Sequence, residues 1–257
     1  MPGSYFVFSA RNGGEPVGRL LRRKKNREKQ PGRVRVSCVV VAAGSSRRMG
    51  FDKLAAPLGD STVIGTTLKA LQSSPEIDEL VLVVREGGEK PVLEAASGCD
   101  KVSRIVHGGS TRTESALNGV TACSPEAEVI LIHDGARPLV SPQVIQNVVN
   151  GVKQYGAAVP VTPVTDTIKV GRDGFADETP DRSTLFAAQT PQGFRAELIR
   201  AALQDAKEKN ITLTDDCAAV ERLGMRVRLV DGDVRNRKVT VPADLPVMET
   251  LRKEMQI

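Results

Sequence analysis

The chain has 257 residues, with 36 Lys or Arg against 31 Asp or Glu, a formal net charge of +5, and 40% hydrophobic residues. This ordinary globular composition supports a sizeable core and excludes a disordered chain, a coiled coil or a small disulfide-stapled scaffold. No run approaches the roughly 18 apolar residues of a membrane span, and aromatics at 3% without Trp argue against a base-stacking nucleic-acid binder.

In chain order, the first 35 residues hold ten basic side chains against Glu15 and Glu28, a net of +8, so the other 222 carry −3. The mildly acidic body offers no broad basic face for nucleic acid. An Arg-rich, acid-poor start fits an anionic-surface contact or an organelle transit peptide. With two serines, Ser4 and Ser9, and a run of like charge, residues 1–33 read instead as a basic, disordered, solvated extension before a globular domain at 34–257.

Val34 to Val41, β-branched and apolar and bounded by Ala42-Ala43-Gly44, predicts a buried strand. A helix over 62–74, a strand over 79–85, a helix over 89–97, a strand over 102–106, a helix over 112–123 and a strand over 128–133 follow. A helix from Pro142 to Tyr155 and a strand over 157–161 continue the alternation. Apolar strands separated by such helices predict an α/β, Rossmann-like doubly wound, mostly parallel sheet with helices on both faces. Residues 163–185 are polar, with a turn at Gly171 to Gly174, and predict a projecting β-arm. Helices over 195–209 and 214–223, strands over 225–230 and from Lys238 through Val241, and a helix over 242–255 close the domain. Cys38, Cys99, Cys123 and Cys217 form no CxxC pair, which fits a reduced cytoplasmic setting, and His107 reads as structural.

Ligands of open α/β sheets bind outside the carboxyl ends of the strands. The segment after the first strand, Ala42-Ala43-Gly44-Ser45-Ser46-Arg47-Arg48-Met49-Gly50-Phe51-Asp52-Lys53, suits phosphate oxygens through small residues and free N–H groups. It is neither GxGxxG nor GxxxxGK[ST], which disfavours a dehydrogenase or a P-loop hydrolase. Asp134 ends an apolar strand, where a carboxylate can meet a metal–phosphate complex or sugar hydroxyls, or can serve as a turn or cap residue. Arg137 offers a planar fork for phosphate. Gly108 and Gly109 permit close approach, while Ser115 alone reads as a helix-face hydroxyl and Lys238 alone as a solvated edge residue.

The Ala42–Lys53 loop resembles the signature of the nucleotidyltransferases that activate sugars, polyols and cofactors. Four later segments follow in order: Gly108-Gly109-Ser110-Thr111-Arg112-Thr113-Glu114-Ser115, His133-Asp134-Gly135-Ala136-Arg137-Pro138, Thr190-Pro191-Gln192 with Thr214-Asp215-Asp216, and Arg237-Lys238-Val239-Thr240. Together they resemble the 2-C-methyl-D-erythritol 4-phosphate cytidylyltransferase family of the non-mevalonate isoprenoid pathway, from about residue 34 to the C-terminus. The resemblance implies a fold of the nucleotide-diphospho-sugar transferase type, CTP and a polyol phosphate as substrates, and Mg²⁺ or another divalent cation. It implies Arg48, Lys53, Arg182 and Lys238 as catalytic residues. Ala42, Ala43, Gly44, Gly109, Ser115 and Asp134 would surround the nucleotide. Asp134, Arg137, Thr167, Arg182 and Thr190 would hold the polyol phosphate, with Asp134 near the metal. The arm implies a homodimer in which Thr167 and Arg182 complete the neighbour's site.

The chain departs from the family pattern at Lys53-Leu54-Ala55-Ala56, where Lys-Gln-aromatic-Leu is common, and at Val41, where many members have Pro. Neighbouring functions therefore stay open: a cytidylyltransferase for another polyol phosphate such as ribitol 5-phosphate, or a non-catalytic CTP-binding module.

Overall fold

The computed structural model describes residues 33–44, 46 and 49–255, with the backbone of Gly18 and Arg19. Arg48 and most of the 1–33 extension lie outside the described residues. Within that extension, Gly18–Arg19 runs antiparallel to Ile105 and Arg104, and Arg33 pairs with Asp78 at 3.0 Å.

Valine-rich strands set the frame, because β-branched side chains fill both sides of a pleated sheet. In β1 (Val36–Ala42), Val36, Cys38, Val40 and Ala42 enter one core, while Val39 enters the other. Its neighbours are β2 (Glu79–Val84), β3 (Val102–His107) and β4 (Val129–Asp134). They run parallel in the order β3-β2-β1-β4. Next comes β5 (Ala157–Pro163), which takes β6 (Phe186–Ala188) and β7 (Gln192–Arg195) antiparallel along one side. Its other side takes β8 (Arg228–Asp231) in parallel. Since β7 also pairs antiparallel with β4, it joins the two halves of the sheet. The strand order reverses between β1 and β4, so the ligand crevice of such a fold opens there.

Helices in chain order are α1 (Val63–Ser73), α2 (Lys90–Ala96), α3 (Arg112–Ala122), α4 (Pro142–Tyr155), α5 (Ala196–Glu208), α6 (Cys217–Arg222) and α7 (Asp244–Glu254). Ile64, Leu68 and Leu71 of α1 and Val148, Val149 and Val152 of α4 bury against one face. Ala116 and Val120 of α3 and Ile199 and Leu203 of α5 cover the other. Starts follow from side-chain caps: Thr62, Thr111 and Ser141 accept the amides of Gly65, Glu114 and Val144. Among the described residues, no helix is long and apolar enough to cross a membrane.

The arm forms as expected, with Val170–Arg172 paired to Phe175–Glu178, and is exposed along both strands. Two expectations need correction. Lys238 to Val241 is not a strand: Asp244 takes the Thr240 and Val241 amides, leaving none for a ladder. The helix expected over 214–223 shrinks to Cys217–Arg222, because Asp215 caps Ala218 and Gln192 takes the Asp216 and Cys217 amides.

Helix α3 can approach the sheet closely because Gly119 faces Val39 and Val83; a Cβ there would lie 2.7 Å from Val83 Cγ2. Ala improves helix propensity by about 1 kcal/mol, but overpacking costs about 1–3 kcal/mol. Gly119→Ala is therefore expected to lower stability in urea unfolding. Gly98→Ala, where the methyl meets open space, should stay within about 0.5 kcal/mol of wild type.

Candidate active site

At the reversal point, β1 runs into the Ala43–Lys53 loop and β4 ends on Asp134. The two ends are stitched by the Gly135 amide, which donates to the Val41 carbonyl at 3.0 Å. A Cβ on Gly135 would stand 3.2 Å from that same oxygen, so glycine permits the close turn. Asp134 is 8% exposed. Lys238 Nζ lies 2.9 Å from its Oδ2 and Arg137 Nε 3.5 Å. Burial works against ionisation, but Lys238, Arg112 and Arg137 outweigh it and hold the carboxyl at about 2.

The segment carrying Lys238 is fastened to the Asp134 turn by main-chain contacts. Val239 N–H donates to the Ala136 carbonyl at 2.8 Å. Arg137 Nη1 donates to the Asn236 carbonyl at 2.6 Å. Fully buried Asn236 gives its amide N–H to the carbonyl of Thr190. From the opposite loop, Lys53 Nζ donates to the Val239 carbonyl at 3.1 Å. Lys53, Asp134, Arg137, Thr190 and Lys238 thus form one constellation.

Behind Asp134 runs a relay of neutral groups. The Asp134 amide donates to Thr190 Oγ1 at 3.1 Å, whose hydroxyl donates to His133 Nδ1 at 3.1 Å. His133 Nε2–H donates to the Arg137 carbonyl at 3.1 Å. This pattern assigns the neutral Nε2–H tautomer. Burial pushes the imidazole down to about 4.

Beside this cluster lies the Gly108–Ser115 segment. A Cβ on Gly108 would meet Ala43 Cβ at 2.6 Å and Ser115 Oγ at 2.7 Å, so the two loops touch across it. Ser115 Oγ accepts the Gly109 amide and donates to the Thr111 carbonyl. Ala43, Gly109 and Ser115 are thereby brought together around Gly108, with exposed Gly44 opening the loop, whereas the Ala42 side chain is buried in the core. Thr167 and Arg182 are not brought to it: both sit exposed on the arm, and Arg182 Nη1 bonds the Thr165 carbonyl. Arg48 lies outside the described residues. Motif reading missed Asn236, which sits in a basic, loop-like stretch with no apolar pattern to mark it as buried. His133, buried and hydrogen-bonded through both ring nitrogens, is a structural brace.

Small-residue loops, a buried carboxylate and converging lysines at the switch point of a doubly wound sheet define a nucleotidyltransferase-type domain. The chain belongs to the family described as IspD, 2-C-methyl-D-erythritol 4-phosphate cytidylyltransferase, whose model matches residues 36–253. It is 42% identical over 229 residues to a protein of that name from Pelotomaculum thermopropionicum, covering 86% of this chain and 96% of that one. It is 43% identical over 216 residues to one from Parasynechococcus marenigrum, covering 83% and 96%. Among solved structures it is similar to the 2-C-methyl-D-erythritol 4-phosphate cytidylyltransferase of Thermus thermophilus, with a TM-score of 0.73 and 32% identity, covering 86% of this chain and 100% of that one. The 4-diphosphocytidyl-2C-methyl-D-erythritol synthase of Anaerococcus prevotii gives a TM-score of 0.77 at 30% identity, covering 87% and 97%.

The His133 brace has a pH signature. Its folded pKa, near 4, lies below the ordinary value of about 6.5, so the unfolded chain binds the extra proton. Its contribution is complete above about pH 6.5 and is lost as pH falls toward 4, with a slope of up to about 1.4 kcal/mol per pH unit. Urea unfolding between pH 7 and 4.5 should show wild type losing stability more steeply than His133→Gln. Equal slopes would contradict the assignment.

Proposed function

We propose that this chain transfers CMP from CTP to 2-C-methyl-D-erythritol 4-phosphate, giving the CDP-linked polyol and pyrophosphate in isoprenoid precursor biosynthesis. The observation that carries this is the constellation of Lys53, Lys238 and ionised Asp134 at the crevice, beside the glycine wall of Gly108 and Gly109, in a chain of this family. The polyol phosphate oxygen attacks the α-phosphorus, a new P–O bond forms, and the bond to the β-phosphate breaks in line. A phosphate monoester is already largely ionised near neutrality, its second pKa being about 6, so no side chain must remove a proton. Positioning and charge neutralisation dominate.

Lys53 spans the crevice to the Val239 carbonyl and is placed to neutralise charge developing on the departing pyrophosphate, with Arg48 of the same loop. Lys238, with its side chain 37% exposed, can turn from Asp134 to the incoming phosphate. The Arg137 fork is occupied by Asp134 and the Asn236 carbonyl, so it orients the carboxylate as well as offering charge to substrate. The donor set fits a magnesium ion brought with the triphosphate, since that ion takes one or two carboxylates plus phosphate oxygens and Asp134 supplies one. When bound, the ion neutralises triphosphate charge. Cytidine would lie along Ala42, Ala43, Gly109 and Ser115. Four free, buried cysteines fit a reducing cytoplasm.

The arm supports a homodimer with shared sites. Phe175 is 79% exposed, and Ile168, Val170 and Phe186 are exposed with it, an apolar surface that a second copy would cover. Thr167 and Arg182 on that arm would then reach the partner's polyol phosphate.

Two measurements test this. Pyrophosphate release from CTP should be fastest with 2-C-methyl-D-erythritol 4-phosphate among methylerythritol, ribitol and glycerol phosphates, and Lys53→Ala should lower kcat by roughly 10²–10³-fold with the fold intact. Faster turnover of ribitol 5-phosphate would reassign the substrate. Mixing Arg182→Ala with Lys53→Ala chains under full subunit exchange should restore about one quarter of wild-type activity, because half the dimers are mixed and each holds one whole site. No recovery despite verified exchange would place Arg182 in its own subunit's pocket.

A further inference from the structure

We propose that the Arg112–Asp216 ion pair, hung on Gln192, is a positioning strut that sets the Gly108–Ser115 nucleotide wall against the Asp134 wall. The inference rests on the function proposed above and assigns residues that touch no reacting atom. Arg112 is the first residue of α3, directly after the Gly108–Thr111 loop. Its guanidinium meets Asp216 in a two-pronged contact, Nη1 to Oδ1 at 2.8 Å and Nη2 to Oδ2 at 2.6 Å. Such a fork fixes direction as well as distance.

Asp216 is itself held rigidly, with its side chain 1% exposed. The Asp216 and Cys217 amides both donate to Gln192 Oε1 at 3.0 Å, and Gln192 Nε2 donates to Asp215 Oδ2 at 2.8 Å. Gln192 begins β7, two residues beyond Thr190, whose hydroxyl receives the Asp134 amide. A continuous polar path therefore links Asp134 to the start of α3.

Elsewhere α3 rests on apolar contacts around Gly119, with Asn118 Nδ2 bonded to the His107 carbonyl. The Arg112 fork ties the helix start to the far side of the crevice. A small shift of that start carries Ser115 Oγ away from the Gly109 amide it holds at 3.1 Å. It also opens the contact of Gly108 with Ala43 and Ser115, so nucleotide affinity should respond before the chemical step does.

The test compares wild type with Asp216→Asn, Arg112→Lys and Arg112→Met, using steady-state kinetics and amide hydrogen exchange over 109–115. Asp216→Asn and Arg112→Met should raise KM for CTP about tenfold, the scale of one lost charged hydrogen bond. In Asp216→Asn and Arg112→Lys, which keep the cation that offsets Asp134, kcat should stay within about threefold, with KM for the polyol phosphate unchanged. Arg112→Lys should recover part of the CTP affinity, and exchange at Gly109 to Ser115 should quicken in all three variants. A fall in kcat at unchanged KM would overturn the strut by putting Arg112 on the reacting groups, and wild-type kinetics with wild-type exchange would also overturn it. If Asp216→Asn fails to fold, Arg112→Lys against Arg112→Met decides alone. Wild type releasing no pyrophosphate from CTP would refute the proposed function instead, and unchanged exchange in Arg112→Lys would still refute the strut.

Discussion

An ionised carboxylate at the bottom of a crevice is the condition to which the rest of the site conforms. Asp134 is nearly buried, and a charge so placed is intolerable without partners. The cations that offset it come from distant parts of the chain: Arg112 from α3, Arg137 from the turn after β4, and Lys238 from the segment before α7. Each brings its own backbone to the switch point. Asn236 and Val239 are then fastened to the Asp134 turn, and Lys53 is fastened to Val239. Charge balance thereby shapes the loops before any nucleotide arrives.

Close approach is the second constraint, and it acts through absent side chains. Gly135 lets the β4 turn sit on the Val41 carbonyl, Gly108 lets two loops touch, and Gly119 lets α3 settle onto the sheet. Each removes a methyl from a contact that carries site residues on at least one side. The cations supply attraction, and the glycines set how near the attracted segments come.

Much of this was legible in the sequence, for physical reasons that differ by element. The strands ending at Val84 and Asp134 announce themselves through near-continuous apolar runs, because strands covered on both faces need them. Val34–Val41 and Val102–His107 show through β-branched residues despite Arg35, Ser37, Ser103 and Arg104. The helix expected after Pro142 to about Tyr155 is α4, bounded by the Ser141 cap and by Gly156. The strand Gln192–Arg195 was invisible, since four residues with Phe194 as their one large apolar side chain carry no period. Val239-Thr240-Val241 misled for the opposite reason: its β propensity is real, but Asp244 takes the amides a ladder would need. Lys53, Asp134, Lys238 and Gln192 were readable as members of ordered motifs, while the hydrogen bonds that Gln192 and Asn236 make across the fold are encoded by no local pattern.

The antiparallel return through β6 and β7 has a consequence for how this architecture can vary. β5 delivers the chain to the ligand edge at Pro163, and β6 and β7 bring it back from that same edge. The arm is therefore a closed excursion whose two ends are pinned side by side by Phe186 opposite Pro163. Residues can be gained or lost between those points without shifting the register of any sheet strand or moving Thr190 and Gln192. Surface excursions with adjacent ends are where chains absorb insertions at little cost. The arm can thus change length between its pinned ends while the frame around Asp134 stays fixed, provided Thr167 and Arg182 keep their reach.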